Sequence, residues 1–170
     1  RADYPQFTFR HNADWENNNI LASLMYAEDL MNEPFVCCYA DILFTADVIK
    51  RLLANPGDIA LSVDVRWLER YRHRTQHPPS DAEKVTAQNG WVTRIHREIE
   101  PDAAHGEYTG IAKFTAAGAA ELKRHYQRSR AQFAGKAFSE AAVFEHAYLI
   151  HLFQEMIDQQ NSLSYLKTGQ

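Results

Sequence analysis

Two short, continuous apolar runs flank a helical pattern between residues 35 and 63. Residues 35–39 and residues 59–63 are each bounded by turn-forming residues, and runs of this length are typical of strands buried on both faces. Between them, Thr45 can cap a helix that stops at Asn55-Pro56-Gly57. A strand, a helix and a strand in this order predict a βαβ unit, and therefore an α/β fold with a mainly parallel sheet.

The rest of the chain adds a β-ribbon and further helices. Asn89-Gly90 is a strong hairpin signal, and the strands predicted at 85–87 and 91–95 form an appended β-ribbon. The other predicted elements are strands at 8–11 and 108–114 and helices at 20–31, 116–131 and 140–158. Because no repeat, low-complexity tract or linker interrupts these elements, residues 1–170 are predicted to form a single domain.

Composition excludes several classes of protein. The 170 residues contain 18 Lys plus Arg and 22 Asp plus Glu, so the net charge of −4 gives no general attraction to nucleic acid or to anionic membranes. Mean hydropathy is −0.47, and no apolar stretch approaches the roughly 20 residues that span a bilayer. The two cysteines, Cys37 and Cys38, are adjacent on one predicted strand and cannot pair, which favours a cytoplasmic protein with reduced thiols.

Asp41 is the first candidate functional residue. It follows the first buried strand, and a carboxylate at the carboxyl end of a parallel strand points into the crevice where α/β proteins bind ligands. Such a carboxylate is a suitable ligand for Mg²⁺ that also contacts phosphates. The alternative is that Asp41 only begins the turn into the next helix, a common role for aspartate.

A second candidate region is the polar segment at residues 100–106, with Arg97 and Glu98 before it and Glu107 after it. Arg97 could hold a phosphate while a glutamate meets a cationic head group, although a solvated loop has the same composition. His73 and His77 are four residues apart, but no third metal ligand is near and prolines follow directly, so a zinc site is disfavoured. The common motifs of serine hydrolases, P-loop enzymes, dinucleotide-binding enzymes and zincins are absent.

Six segments in a fixed order carry a resemblance to a known family. The segments are DWENNNILASL from Asp14, then FVCCYADILF, DIALSVD, RTQHPPSDAEKV, GEYTGIAKF and EAAVFEHAYLIHLFQEMID. The chain resembles nucleotidyltransferases of the sugar-nucleotide and phosphocholine cytidylyltransferase type, especially those of phosphonate or phosphocholine pathways. The resemblance implies a Rossmann-like nucleotidyltransferase fold. It also implies a reaction that joins a nucleoside triphosphate, with CTP favoured, to a phosphate or phosphonate acceptor, with release of pyrophosphate.

The resemblance also assigns roles to individual residues. Asp41 falls at the position that binds Mg²⁺ and so acts in catalysis. Three asparagines occupy positions that shape the nucleotide and acceptor pocket, and three charged residues occupy elements that close over the acceptor: Asn17, Asn18 and Asn19, and Lys84, Glu98 and Glu107, respectively.

Glu145 and Tyr148 match an acid-plus-aromatic position that lies near a cationic head group in choline-type relatives. In the predicted helix at 140–158 these residues are three apart and share a face, so a carboxylate and a ring could meet an ammonium group together. The alternative is that Glu145 complements the helix dipole while Tyr148 packs in the core. An ammonium-bearing acceptor is therefore favoured slightly over a sugar 1-phosphate.

The resemblance further implies that a Gly-rich, triphosphate-binding loop precedes these residues and that a second metal-binding aspartate follows them. The expectation is therefore that residues 1–170 are an interior part of a longer enzyme, which could assemble as a homo-oligomer. The rival hypothesis is a noncatalytic α/β module that binds a ligand or partner without turnover. A sugar-1-phosphate nucleotidyltransferase is the other alternative.

Overall fold

A computed structural model describes residues 5–72 and 74–169; His73, considered above as a metal ligand, lies outside them. The α-helices are α1 Ile20–Met25, α2 Ala46–Leu53, α3 Trp67–Tyr71, α4 Ala116–Phe133 and α5 Leu149–Asp158. The strands are β1 Phe35–Cys38, β2 Ile59–Asp64, β3 Lys84–Gln88, β4 Trp91–His96, β5 Gly106–Phe114 and β6 Leu163–Thr168. Residues 8–11, predicted as a strand, have no regular secondary structure.

All six strands join one mixed sheet in the order β1-β5-β2-β6-β4-β3. Within the described residues, β2 and β6 form the only parallel pair, in a register that runs from Ile59 opposite Leu163 to Asp64 opposite Thr168. The other pairs are antiparallel. The α/β class is confirmed, whereas the prediction of a mainly parallel sheet is wrong.

The error arises from strand order. β1 and β2 run in the same direction, as a βαβ unit requires, but β5 inserts between them and pairs with both in the antiparallel sense. β1 is thereby left at an edge, and its residues are half-buried or exposed instead of buried on both faces. The local pattern of a sequence indicates strands and crossovers, but it contains no signal for a strand that enters from seventy residues further along.

The hairpin is confirmed, and it belongs to the sheet. Asn89 and Gly90 have positive φ angles of 51° and 86°, which the tight turn requires. β4 contacts β6 where Trp91 pairs with Ser164, and β3 contacts β5 where Lys84 pairs with Glu107. Since β5 also pairs with β2, these contacts close β5, β2, β6, β4 and β3 into a ring. The ribbon is therefore not an appendage.

The long helix predicted at 140–158 is wrong in its first half. α5 begins at Leu149, and the preceding residues form a β-bridge between Phe138 and Ala141 and a single 3₁₀ turn at Phe144–His146. Phe138, Ala141, Phe144 and Ala147 are all buried. Their spacing of three resembles a helical stripe, although it comes from an irregular segment that presents every third residue to the core.

β6 was not predicted, yet it lies between β2 and β4 in the sheet. The two faces of the sheet are covered by different helices. Ile59, Leu61 and Val63 of β2 belong to the main core with α1, α4 and α5, whereas Ala60 joins the smaller core under α2. This alternation is what a strand covered on both faces requires. Among the described residues, no helix combines the length and apolar character that crossing a bilayer demands.

Candidate functional site

A cavity of about 660 Å³ opens where several strands end. β1, β2 and β6 run in the same direction and finish at this edge, and β5 begins there. The charged residues that line the cavity are five acids and three arginines: Asp41, Asp64, Asp81, Glu83 and Glu107, with Arg70, Arg74 and Arg97. The carboxyl edge of codirectional strands is where open α/β sheets bind ligands.

Asp64 is the most constrained acid of the cavity. It ends β2, is only 3% exposed, and accepts a 2.9 Å hydrogen bond from the backbone N–H of Arg66. The Arg70 guanidinium forms an ion pair with the same carboxylate. Gly169 has a φ of +81° and approaches so closely that a Cβ there would lie 1.9 Å from Asp64 Oδ1. This packing requires glycine at position 169 and fixes the aspartate from three sides.

Asp64 is not among the site residues predicted from the sequence, although its position in the sequence carries a signal. An aspartate that ends the buried run at residues 59–63 satisfies the same rule that selected Asp41 after residues 35–39. Applying the rule to both strands would have found it.

Glu107 projects from the first residues of β5, where it pairs in register with Asp64 of β2 and Lys84 of β3. Its carboxylate accepts a 2.5 Å hydrogen bond from the hydroxyl of Tyr71. Burial is the main cause of a raised pKa for the Glu107 carboxyl, opposed by the Tyr71 hydrogen bond and by Arg74. The structure therefore places this predicted site residue inside the cavity.

Arg97 lies in the cavity wall between an acid and a ring. Its guanidinium group is 4.1 Å from the centre of the Tyr148 ring and donates a 3.3 Å hydrogen bond to Glu83. The hydroxyl of Tyr39 donates a 3.2 Å hydrogen bond to the other oxygen of Glu83. Burial raises the pKa of the Glu83 carboxyl despite Arg97. Glu83 was missed because nothing in its local sequence distinguishes it from a surface glutamate.

Asp41 occupies the rim of the cavity. Its side chain is exposed and has no hydrogen bond or ion pair within residues 5–72 and 74–169. Leu43, fully exposed, and Phe44 follow it along the same rim. The carboxylate of Asp41 is therefore available to bind a ligand.

Lys84 lies behind the cavity wall and does not line it. Its ammonium group donates to the backbone carbonyls of Pro79 and Ala82 at 3.3 and 3.4 Å and lies 6.0 Å from the centre of the Trp67 ring. The side chain is 2% exposed, and burial lowers its pKa. Through its pairing with Glu107 it supports a residue of the cavity.

The three asparagines lie away from this cavity and bond mainly to their neighbours. Asn17 donates to Asp14 at 2.8 Å, Asn18 exchanges hydrogen bonds with Asn12, and Asn19 accepts from the N–H of Ile20 as the cap of α1. Asn18 lines a separate pocket of about 300 Å³ beside α1. The assignment of these asparagines to the substrate pocket stays a prediction that the geometry does not favour.

The helix face that the sequence predicted for Glu145 and Tyr148 does not form. Because both precede α5, they share no helix face, and this expectation is wrong. Glu145 lines the smaller pocket beside α1, and its carboxylate accepts hydrogen bonds from the N–H of Gly135. The Tyr148 ring lies under Arg97 instead. Glu98 is exposed and lies outside the cavity, next to His96 and Glu140.

Solved structures show that the fold is shared with nucleotidyltransferases. The inositol-1-phosphate CTP transferase from T. maritima superimposes with a TM-score of 0.63 at 20% identity, over 92% of this chain and 54% of its own. A Bacillus anthracis protein assigned as a glucose-1-phosphate thymidylyltransferase, in complex with a sucrose, superimposes with a TM-score of 0.58 at 13% identity. That match covers 90% of this chain and 54% of the other.

Among curated proteins, the chain is similar to the CTP:phosphoglutamine cytidylyltransferase of Campylobacter jejuni. The two are 22% identical over 158 residues, which cover 89% of this chain and 61% of the relative. No family model matches the chain. The resemblance to cytidylyltransferase-type and sugar-nucleotide-type nucleotidyltransferases is confirmed, and this chain spans somewhat over half the length of the proteins that share it.

Proposed function

We propose that the protein is a nucleotidyltransferase that joins CTP to a small phosphorylated or phosphonate acceptor and releases pyrophosphate. The observation that carries the proposal is the cavity at the carboxyl edge of β1, β2 and β6, where acids and arginines converge. Two of the relatives above are named as CTP-dependent transferases, which favours CTP as the nucleotide. Nucleoside triphosphates are abundant in the cytoplasm, where we place the protein.

The reaction needs positioning and charge neutralisation more than it needs an acid or a base. The attacking oxygen of a phosphate or phosphonate is already ionised at neutral pH, and it must approach the α-phosphorus in line with the departing pyrophosphate. Arg97 is held by Glu83 and Tyr148 in a fixed orientation, which suits it to hold a phosphate. Arg70 and Arg74 add positive charge on the same wall.

The donor set at the rim fits Mg²⁺. Asp41 offers one unengaged carboxylate, and Mg²⁺ in such sites commonly takes one or two carboxylates together with substrate phosphates and water. When bound, the ion would neutralise charge that develops on the phosphates. Asp64 is less suited to this role because Arg66 and Arg70 already occupy its oxygens.

The excess of acids over arginines favours an acceptor that carries an ammonium group. Glu83 and Glu107 both line the cavity, and Glu83 lies beside the ring of Tyr39, so a cation there would meet carboxylates and an aromatic ring. Glu83 already pairs with Arg97, whereas Glu107 forms no ion pair among the described residues, so a sugar 1-phosphate would leave the Glu107 carboxylate without a positive partner. Glu145 lies in the other pocket, and the ammonium site is therefore assigned to the cavity acids.

The test is pyrophosphate release by the complete protein with Mg²⁺, each of the four common nucleoside triphosphates, and a panel of acceptors. The panel contains phosphocholine, an aminoalkyl phosphonate and a sugar 1-phosphate. We expect the highest kcat/KM with CTP and an ammonium-bearing acceptor. Turnover only with the sugar phosphate would overturn the acceptor assignment. Binding of CTP without pyrophosphate release from any acceptor would favour a noncatalytic module.

A further inference from the structure

A second group of ionisable side chains lies close to Arg97 and Tyr148 but does not line the cavity. Glu140 stands between two histidines, with its carboxylate oxygens 3.0 Å from His96 Nε2 and 3.4 Å from His151 Nε2. We call His96, Glu140 and His151 the Glu140 cluster. His151 is 3% exposed, whereas Glu140 is partly accessible. The three residues come from the end of β4, the loop after α4 and the first turn of α5.

Backbone hydrogen bonds define where the imidazole protons lie. The N–H of Glu98 donates to Nδ1 of His96 at 3.1 Å, and the N–H of Tyr148 donates to Nδ1 of His151 at 3.1 Å. A nitrogen that accepts a hydrogen bond carries no proton, so in each neutral ring the proton is on Nε2. Both Nε2 atoms are therefore protonated, and each lies within 3.4 Å of an oxygen of Glu140. Burial lowers the pKa of His151, and the neighbouring Glu140 opposes this shift.

The same tautomers argue against a metal ion. His96, Glu98 and Glu140 can bring one ligand atom each within 4.8 Å of one another, a spacing that would suit a cation. However, a histidine binds a metal through an unprotonated nitrogen. Metal binding at either Nε2 would move its proton to Nδ1 and break the hydrogen bond from Glu98 or Tyr148. Glu140 instead lies between the two rings as a charged neighbour, 3.0 Å from His96 Nε2 and 3.4 Å from His151 Nε2, and His151 Nε2 forms no aligned hydrogen bond within the part of the chain that the structure describes.

The Glu140 cluster is connected to Arg97 along two routes. His96 immediately precedes Arg97 in the chain, so anchoring the His96 ring fixes the end of the strand from which Arg97 projects. His151 accepts from the N–H of Tyr148, and its ring lies edge-on to the Tyr148 ring, with 5.6 Å between their centres. Tyr148 is in turn the surface on which the Arg97 guanidinium lies. Both halves of the Arg97–Tyr148 stack are therefore tied to one carboxylate.

We propose that Glu140 is a positioning residue: by bridging His96 and His151, it holds the Arg97–Tyr148 stack in the orientation that receives the phosphate group of a substrate. The kinetic part of this inference rests on the proposed nucleotidyl transfer. The structural part does not, since it concerns only the orientation of Arg97 and the protons of two histidines.

The test compares the complete wild-type protein with Glu140→Gln, and with Glu121→Gln as a matched control. Glu121 also lies beside a histidine, His125, at 3.7 Å, but it is on α4 and outside both the cavity and the Glu140 cluster. We expect Glu140→Gln to raise KM for the phosphorylated acceptor on the order of 10-fold with a smaller change in kcat, and Glu121→Gln to change neither. Thermal unfolding of each variant checks that the fold is retained.

Nitrogen-15 NMR provides a readout that does not depend on activity. In the wild type we expect protons on Nε2 of His96 and His151 that persist when Zn²⁺ is added. We also expect a slowly exchanging Nε–H signal from Arg97, because that atom is buried. Glu140→Gln should make the Arg97 signal exchange faster. Unprotonated Nε2 atoms, direct binding of Zn²⁺ by these rings, or an unchanged Arg97 signal in a folded Glu140→Gln variant would overturn the inference. An inactive protein that shows the expected spectra would instead count against nucleotidyl transfer alone.

Discussion

β5 contributes its first residues to the cavity and its last residues to the apolar core, and the two ends are built in opposite ways. At the cavity end, Glu107 accepts a hydrogen bond from Tyr71, and the hydroxyl of Thr109 donates one to Ser62. At the other end, Phe114 stacks on Phe35 and packs against Phe153 of α5. Burying charged groups destabilises the folded state, whereas burying aromatic rings stabilises it. Activity and stability should therefore depend on different residues of the same sheet.

The largest effect on stability is expected at the core end. Phe153 is fully buried against Phe114 and Tyr108, so Phe153→Ala should lower the free energy of unfolding by about 4 kcal/mol. KM for both substrates should be unchanged in the protein that remains folded. Chemical denaturation and steady-state kinetics measure the two quantities. Leu53→Ala, at an exposed position of α2, is the control, with an expected change within about 0.5 kcal/mol. A selective rise in KM for Phe153→Ala would contradict the separation.

The largest effect on activity is expected at the rim. Asp41→Asn retains the shape of the side chain and removes the charge that would hold Mg²⁺, so kcat should fall on the order of 100-fold. The melting temperature should not change, because Asp41 is exposed and unpaired within the described chain. Asp47→Asn, at the start of α2, is a matched control that should retain full activity. Unaltered pyrophosphate release by Asp41→Asn at saturating Mg²⁺ would return Asp41 to a role in the turn.

A smaller effect tests the region that the family resemblance assigned to the substrate pocket. Asn19 caps α1 through a 2.8 Å hydrogen bond to the N–H of Ile20 and does not line the cavity. Asn19→Ala should therefore lower the free energy of unfolding by about 1 kcal/mol and leave kcat/KM of the folded protein unaltered. Denaturation curves and initial rates measure both. If kcat/KM falls while stability is retained, the asparagines belong to the site after all.

The smallest expected effect is on how the free energy of unfolding changes with pH. Because burial raises the pKa of Glu83 above its usual 4.5, the folded protein binds an additional proton in the interval above that pH. The contribution of Glu83 to stability is therefore greatest at low pH and is lost as pH rises through the raised pKa. Relative to Glu83→Gln, the unfolding free energy of the wild type should fall from pH 4.5 toward neutrality. A wild type that gains stability over this range relative to Glu83→Gln would mean that Arg97 outweighs burial.

Local sequence patterns account for the parts of the fold that were predicted correctly. Asn89-Gly90 defines its hairpin through two positive φ angles, and the strand and helix at 106–133 follow directly from residue periodicity. The position of β5 between β1 and β2, and the pairing of β6, depend on contacts between distant segments that periodicity does not encode. The helix predicted to begin at residue 140 is wrong over its first half because the buried residues of the segment at 138–147 recur every three positions.

A site residue could be predicted from the sequence where a single strand determines its position. Asp41 and Glu107 lie in the cavity because each adjoins a strand end that the sequence pattern identified. Glu83, Arg70 and Tyr39 acquire their positions only when the sheet closes and brings separate strands together. Glu145 lies in the other pocket because the helix predicted to carry it begins only at Leu149.

Hydrogen–deuterium exchange of the complete protein, with and without CTP, Mg²⁺ and an ammonium-bearing phosphorylated acceptor, tests the location of the site most directly. We expect protection confined to the strand ends and adjoining loops that line the cavity, at residues 39–45, 62–64 and 107–111. The exchange of α4 and α5 should be unchanged. Protection concentrated instead around α1 and Glu145, with the cavity segments unaffected, would place the substrates in the smaller pocket and contradict the account.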